Sequence, residues 1–296
     1  MPLPNRHLTS VLLRREGELF LFDCGEGTQV SLRRLNLRWK KISVIFISHT
    51  HADHVTGIPG LLMLSSQVDR EDPLYIIGPP KIAEYVEASR RILDMYINYK
   101  IIVQEITAPG IVYKGDGFHV RCFPLSHTKT CYGYALEEEM RPGEFHPAKA
   151  QDLNIPVGKL WGRLQKGEAI TTDDGREIKP DAVMGPPRMG RKFSFVTDSL
   201  ASSDISAHVI GSDLFVCEGM FEKALEDDAH EKKHMTAEEA AKIAAASQGV
   251  KKLALIHYSP RYTEHELKQI LEEARAVFPN TVLTKDRMVL PIEYID

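Results

Sequence analysis

His49-Thr50-His51-Ala52-Asp53-His54 places four metal-capable side chains within six residues. They follow Val44 to Ile47, an apolar run that reads as a buried strand. Side chains two apart on a strand share a face, so His49 and His51 leave its end on one side. The turn that follows can bring Asp53 and His54 to the same cavity from a second direction. Imidazole and carboxylate are ligands that Zn²⁺ accepts, and a mixed His/Asp set without Cys fits a hydrolytic centre better than a structural one. A histidine-rich surface turn is the bland alternative, and the density of donor types weighs against it.

Such a cluster cannot fill two metal sites alone, so further donors are expected elsewhere in the chain. His127 lies in Pro124-Leu-Ser-His-Thr128, after the alternating stretch Phe118 to Phe123. Asp198 ends Lys192-Phe-Ser-Phe-Val-Thr-Asp198, and His257 ends Lys252-Leu-Ala-Leu-Ile-His257. Each stands at the C-terminal end of a β-branched or aromatic run, where a sheet delivers groups from different strands to one rim. Taken singly, each reads better as a capping Asp or a partly buried His than as a ligand. Beside the six-residue cluster, the ligand reading prevails. His7, His119, His146, His208, His230 and His265 show no such placement.

With their flanks, these residues resemble the metallo-β-lactamase superfamily and, within it, the ribonuclease Z family, from about Pro4 to the C-terminus. Phe22-Asp-Cys-Gly-Glu-Gly-Thr-Gln29 is similar to the family's early loop, and Gly57-Ile-Pro-Gly-Leu-Leu62 to the helix after its metal cluster. Arg141-Pro-Gly-Glu-Phe145 through Gly185-Pro-Pro-Arg188 resembles an insertion that most other superfamily members lack. His234-Met235-Thr236 stands where the family usually has His-Ser-Thr, and His257-Tyr-Ser-Pro-Arg-Tyr262 matches its last metal motif.

The resemblance implies a zinc-dependent endoribonuclease that removes the 3′ trailer from precursor tRNA and leaves a 3′-hydroxyl on the tRNA. One metal would be held by His49, His51 and His127, and a second by Asp53, His54 and His257, with Asp198 bridging them. Two Zn²⁺ are implied, with Mn²⁺ or another divalent metal as substitutes. Asp53 would also serve as general base, and His234 as acid toward the leaving ribose oxygen, oriented by Glu218. Arg261 would meet the scissile phosphate, since a guanidinium fork fits phosphate geometry. A homodimer is implied as well. Thr197-Asp198-Ser199 replaces the usual Gly-Asp-Thr, Cys217-Glu218-Gly219 replaces His-Glu-Ala, and Val157-Gly158-Lys159 replaces a Pro-Gly-Pro-like element. The first two keep the functional carboxylate and change its neighbours. The family also begins with a strand and a Gly-rich turn before the loop seen here as Pro2 to Arg6, so an upstream start or a shortened chain is expected. The rival readings are another phosphodiesterase of the superfamily and a catalytically silent RNA-binding module.

The 296 residues, 43% hydrophobic, can bury a large core, and no apolar run approaches the roughly eighteen residues of a membrane span. Cys24, Cys122, Cys131 and Cys217 are scattered without paired spacing, which fits a reducing, cytoplasmic setting. A net charge of −4 argues against a nucleic-acid partner, but its distribution matters more. Gly158 to Gly167 carries Lys159, Arg163 and Lys166 with no acid, and Trp161 among them. On sequence alone this is an ordinary basic amphipathic turn. Inside the family-like insertion, about 138–192, it becomes the tip of a flexible arm that grips the tRNA body, by phosphate neutralisation and base stacking.

Strand-like runs are expected at Ser10–Leu13, Leu19–Asp23, Val44–Ile47, Leu74–Ile77, Ile101–Ile106, Phe118–Phe123, Tyr132–Leu136, Phe193–Val196, Leu214–Val216, Leu253–Ile256 and Met288–Ile292. Helical patterns fall at His54–Val68, Lys81–Tyr96, Thr236–Ser247 and Glu264–Val277, with Thr236 and Glu239 forming a capping box. Two similar halves of strands and helices predict an α+β fold of one domain over 1–296. Two sheets packed face to face with helices outside would make a four-layer αβ/βα sandwich with the metal site at the open edge between the sheets, and the resemblance implies its metallo-β-lactamase-like form with the inserted arm.

Overall fold

The computed structural model describes residues 3–4, 6–68 and 70–294. The expected loop from Pro2 to Arg6 therefore lies partly outside the described residues. The first half runs β1 (Val11–Arg15), β2 (Glu18–Phe22), α1 (Thr28–Arg34), β3 (Ile42–Phe46), α2 (Ala52–Val55), α3 (Ile58–Ser66), β4 (Leu74–Gly78), α4 (Ile82–Ile92) and β5 (Ile101–Glu105). Then come β6 (Gly110–Gly115), β7 (Phe118–Leu125) and β8 (Cys131–Glu138). An excursion follows, holding α5 (Pro147–Asp152), α6 (Lys159–Gln165), β9 (Ile170–Thr171) and β10 (Glu177–Ile178). The chain returns through β11 (Lys192–Val196), α7 (Ser203–Val209), β12 (Leu214–Glu218), α8 (Glu226–Glu231), α9 (Ala237–Ala246), β13 (Leu253–Ile256), α10 (Glu264–Val277) and β14 (Thr281–Leu283).

Two sheets face each other, one ordered β1-β2-β3-β4-β5 and the other β14-β13-β12-β11-β8-β7-β6. Glu18-Leu-Phe-Leu-Phe22 shows why four layers form. Its alternation sends Phe20 and Phe22 between the sheets, where they meet Phe118, Tyr134, Phe193 and Phe195, and sends Leu19 and Leu21 outward under helices. Phe22 stacks on Phe46 with ring centroids 5.1 Å apart and lies 5.0 Å from Phe193. The outer face of the first sheet is covered by Leu61, Leu62, Ile82 and Val86 from α3 and α4. That of the second is covered by α7, α9 and α10 through Val209, Ala240, Ala241 and Ile270. The αβ/βα sandwich expected from the sequence is the observed fold.

The capping box at Thr236 is present, with Glu239 N–H donating to Thr236 Oγ1 and Thr236 N–H to Glu239 Oε2. Some expectations fail. Met288–Ile292 forms no strand, and the last strand is the β-branched run at β14, paired in parallel with β13. Leu290 and Ile292 do pack on the core between the sheets while Val289 points to solvent. Pro291 removes an amide donor, so the segment runs as an extended strap without a ladder. The helix expected over His54–Val68 is broken at Thr56-Gly57. A Cβ on Gly57 would stand 2.1 Å from the Gly25 carbonyl oxygen, so two loops touch backbone to backbone there. Gly57 N–H and Cys24 N–H close that contact, donating to Cys24 O and His54 O at 2.8 Å each.

Candidate metal centre

In the second sheet β11, β12 and β13 run parallel and β7 runs with them, and their ends meet the end of β3 from the first sheet at one rim. Beyond those ends lie His49, His127, Asp198 and His257, with Glu218 as the last residue of β12. The crevice outside the carboxyl ends of such strands is where this architecture places its chemistry.

Asp198 sits at the middle, almost closed to solvent. Its Oδ2 faces one set, with His49 Nε2 at 3.6 Å and His127 Nε2 at 3.7 Å. Its Oδ1 faces another, with His54 Nε2 at 3.4 Å and His257 Nδ1 at 3.5 Å. His51 completes the first set, its Nδ1 2.8 Å from His49 Nε2 and 3.2 Å from His127 Nε2. Asp53 completes the second, its Oδ2 3.5 Å from His54 Nε2 and 3.4 Å from His257 Nε2. Within each set the donor atoms lie within 4.8 Å of one another.

Asp23, which the sequence showed only as part of a loop, orients this group. It accepts from Ser48 N–H at 2.7 Å and Ser48 Oγ–H at 2.8 Å, and its Oδ2 lies 2.7 Å from His54 Nδ1. That contact turns His54 Nε2 toward Asp198. Asp23 and His257 both hold left-handed backbone, with φ of +58° and +57°. Such strain in a non-glycine residue collects where a side chain must be aimed. The signal available in the sequence was an acidic residue closing an apolar run, without any hint of its partner.

The electrostatics divide in the same way. Burial, with the neighbouring imidazoles, lowers His49 to about 2, and burial also lowers His51 and His127, so the first set is neutral and free to donate lone pairs. Burial alone would lower His54 too, but Asp198 and Asp23 raise it to about 10. His257 is raised against its burial by Asp198 and Asp53. Asp198 and Asp53 are themselves held far below the usual carboxylate range despite burial, Asp198 by the surrounding imidazoles and Asp53 by His257 and His54. The carboxylates thus favour positive charge at this point. His54 Nε2 and His257 Nδ1 are buried without a hydrogen-bond partner. Buried polar atoms without partners are rare, and lone-pair donors aimed at a common point with anionic oxygens between them suit a divalent cation.

The remaining expected residues are distributed as follows. His234 Nδ1 lies 2.9 Å from Glu218 Oε2, and Glu218 Oε1 accepts from Ser199 N–H at 2.6 Å. His234 stacks on His257 with centroids 5.6 Å apart, and its Nε2 is 4.0 Å from Asp198 Oδ2. It therefore borders the centre, and groups with Asp198 and His257 as a further potential donor. Asp53 is the open member, its side chain 37% exposed. Arg261 is exposed, its guanidinium 5.1 Å over the Phe221 ring. Lys159, Trp161, Arg163 and Lys166 lie on or beside α6 in the excursion, apart from the centre. Lys159 and Lys166 are exposed, whereas Arg163 pairs with Glu168 at 3.0 Å. Trp161 is half-buried on Phe145 at 5.0 Å and donates its indole N–H to Ile155 O. A cleft of about 740 Å³ opens beside Asp53 and His257 and runs between β1 and the strap.

A His/Asp centre at the mouth of an αβ/βα sandwich defines a hydrolase of the metallo-β-lactamase fold. The metallo-β-lactamase fold protein YhfI from Bacillus subtilis shares that fold at 20% identity, with a TM-score of 0.64 over 96% of this chain and 92% of that one. A family model described as Anti-Pycsar protein Apyc1 matches residues 5–141, the half that carries β1 to β8. The crystal structure of human tRNase Z, short form, is 25% identical with a TM-score of 0.72, covering 99% of this chain and 95% of that one. The ribonuclease Z of Treponema denticola is 67% identical over all of this chain and 96% of its own length. The chain belongs to the ribonuclease Z family, endoribonucleases built on this fold.

Proposed function

We propose that the protein cuts precursor tRNA on the 3′ side of its mature body, removing the trailer and leaving a 3′-hydroxyl. The observation that carries this reading is the Asp198 carboxylate, which turns one oxygen to each of two donor sets. His49, His51 and His127 would hold one divalent ion, Asp53, His54 and His257 a second, and Asp198 would touch both. Zn²⁺ suits the His-rich set, and Mn²⁺ is a workable substitute. The chemistry such a pair supplies when bound is Lewis-acid polarisation of the phosphate and an easier loss of a proton from water.

The chain's own residues do the rest. Asp53, open to solvent and held anionic, would take the proton from the attacking water. Glu218, anchored by Ser199 N–H, holds His234 by Nδ1 and leaves Nε2 facing the centre as donor to the departing ribose oxygen. Arg261 offers its guanidinium to the scissile phosphate. The excursion between β8 and β11 would act as an arm on the tRNA body, with Lys159 and Lys166 among the exposed cations it presents. Trp161 and Arg163 have a share of their contact surface committed within the arm itself. A homodimer and a cytoplasmic setting complete the reading. The family resemblance supports the first and four buried free thiols the second. Sizing in solution tests the dimer.

Incubation of precursor tRNA with the Zn²⁺- or Mn²⁺-supplied protein should give cleavage next to the discriminator base, abolished by chelator and by Asp53→Ala. His234→Ala should keep its metal content while kcat falls by roughly a hundred- to ten-thousand-fold, the range of general acid–base groups. No cleavage with either metal present would remove the reading. Loss of metal in the His234 variant would make that residue a ligand instead of an acid.

A further inference from the structure

The excursion meets the body at a narrow root. Glu138 is the last residue of β8, Arg191 directly precedes β11, and the two neck segments touch through the isolated bridges Arg141–Arg188 and Phe145–Met184. Beyond the neck the excursion has a core of its own, Ala150, Ile155, Leu164, Ile170, Ile178 and Val183. Its orientation on the sandwich therefore depends on what holds the root.

That hold is a cluster of charged groups closed by a tyrosine from the strap. The Glu138 carboxylate accepts from Arg191 at N–H (3.0 Å), Nε (3.0 Å) and Nη2 (2.7 Å), and from Arg15 Nε at 2.8 Å. Arg191 Nη1 donates to the Ile292 carbonyl at 3.2 Å. The guanidinium carbons of Arg141 and Arg191 lie over the Tyr294 ring at 3.6 and 4.0 Å from its centroid. One arginine comes from each side of the root, so the same ring bridges both neck segments. A ring face attracts guanidinium by its quadrupole, and the planar contact fixes direction as well as distance.

The strap's other end is fixed beside the metal centre. Thr284 N–H donates to the hydroxyl of Tyr258, the residue after His257, at 2.8 Å. Leu290 and Ile292 between them pack on the core of the sandwich. A single segment, turning once at Asp286-Arg287, thus runs from the rim of the centre to the root of the excursion.

We propose that Tyr294 is a positioning residue: it clasps the arm root through Arg141 and Arg191 and sets the angle at which the arm presents itself to the RNA. The RNA half of this statement rests on the function proposed above. Tyr294 touches no reacting atom, and its effect is on productive binding.

The test uses the full chain supplied with metal, as wild type, Tyr294→Ala and Tyr294→Phe. Hydrogen exchange should quicken at 139–146 and 184–191 in Tyr294→Ala, while β3 and β13 keep their protection. KM for precursor tRNA should rise about tenfold with kcat nearly unchanged, and bis(p-nitrophenyl) phosphate should be hydrolysed as by the wild type. Tyr294→Phe, which keeps the ring face, should restore both readouts. Wild-type exchange or wild-type KM in Tyr294→Ala overturns the proposal. So does loosening that spreads to β3 and β13, or an equal loss on both substrates, since either marks a general structural role. If the wild type hydrolyses the ester but does not cut precursor tRNA, the functional reading falls, and the exchange data alone decide the clasp.

Discussion

Three hydrogen-bonding atoms converge on the Asp23 carboxylate, two from Ser48 and one from His54, and Ser48 Oγ lies 3.0 Å from His49 Nδ1 in turn. One buried acid therefore governs the tautomer and aim of two imidazoles. Removing such a partner typically costs ten- to a hundred-fold in metal affinity. Asp23→Ala should lose about that much in a competition titration against a chelating dye, while kcat at saturating metal falls far less. Unchanged affinity would mean that packing alone aims His54. At this scale the sequence was legible where the donors are local. His49 to His54 announce themselves by density, and His127, Asp198 and His257 by standing at strand ends. The pairing of Glu218 with His234 spans 16 residues and that of Asp23 with His54 spans 31, and no local pattern encodes either.

Elements were legible in proportion to their regularity. Glu264–Val277 is observed with the bounds that its period predicts, and Leu253–Ile256 likewise. Short pieces such as α1, α7, β6 and β14 escaped because five to seven residues, or fewer, carry too little periodicity to separate from a loop. Met288–Ile292 misled because alternation reports burial and not pairing. The root of the excursion belongs to this scale, and its acid behaviour can be worked out. Although burial would raise Glu138, its hydrogen bonds to Arg191 and Arg15 hold the carboxyl at about 2, against an ordinary value of 4.5. A depressed carboxylate contributes stability that is complete above its unfolded value and is lost as pH falls through its folded one. The melting temperature of wild type should therefore exceed that of Glu138→Gln at neutral pH, and the gap should close as pH falls from about 4.5 to about 2. A gap that stays constant across that window would show that the pair with Arg191 does not stabilise the root.

For the whole molecule, the separation between sandwich and excursion is the feature with most consequence. The family resemblance implied an insertion at about 138–192, and in the structure β8 ends at Glu138 and β11 begins at Lys192. The internal packing of the excursion was not legible in the sequence, since Trp161 looked like a free aromatic among cations and instead lies against Phe145. The neck is tight: a Cβ on Gly143 would stand 1.9 Å from the Gly185 carbonyl oxygen, so the two segments cross with nothing between them. Cutting there removes a unit with its own small core and leaves the aromatic layer between the sheets untouched. Replacing 142–187 by a short Gly-Ser turn should leave hydrolysis of bis(p-nitrophenyl) phosphate near wild type. The same change should raise KM for precursor tRNA by about a hundredfold, because remote contacts supply binding energy that a small ester never uses. Cations lost with the segment should also flatten the fall of tRNA affinity with salt, by a slope of about 0.9 for each phosphate contact removed. Equal losses on tRNA and ester would assign the excursion to folding. An unchanged salt slope together with a raised KM would assign it to shape instead of charge.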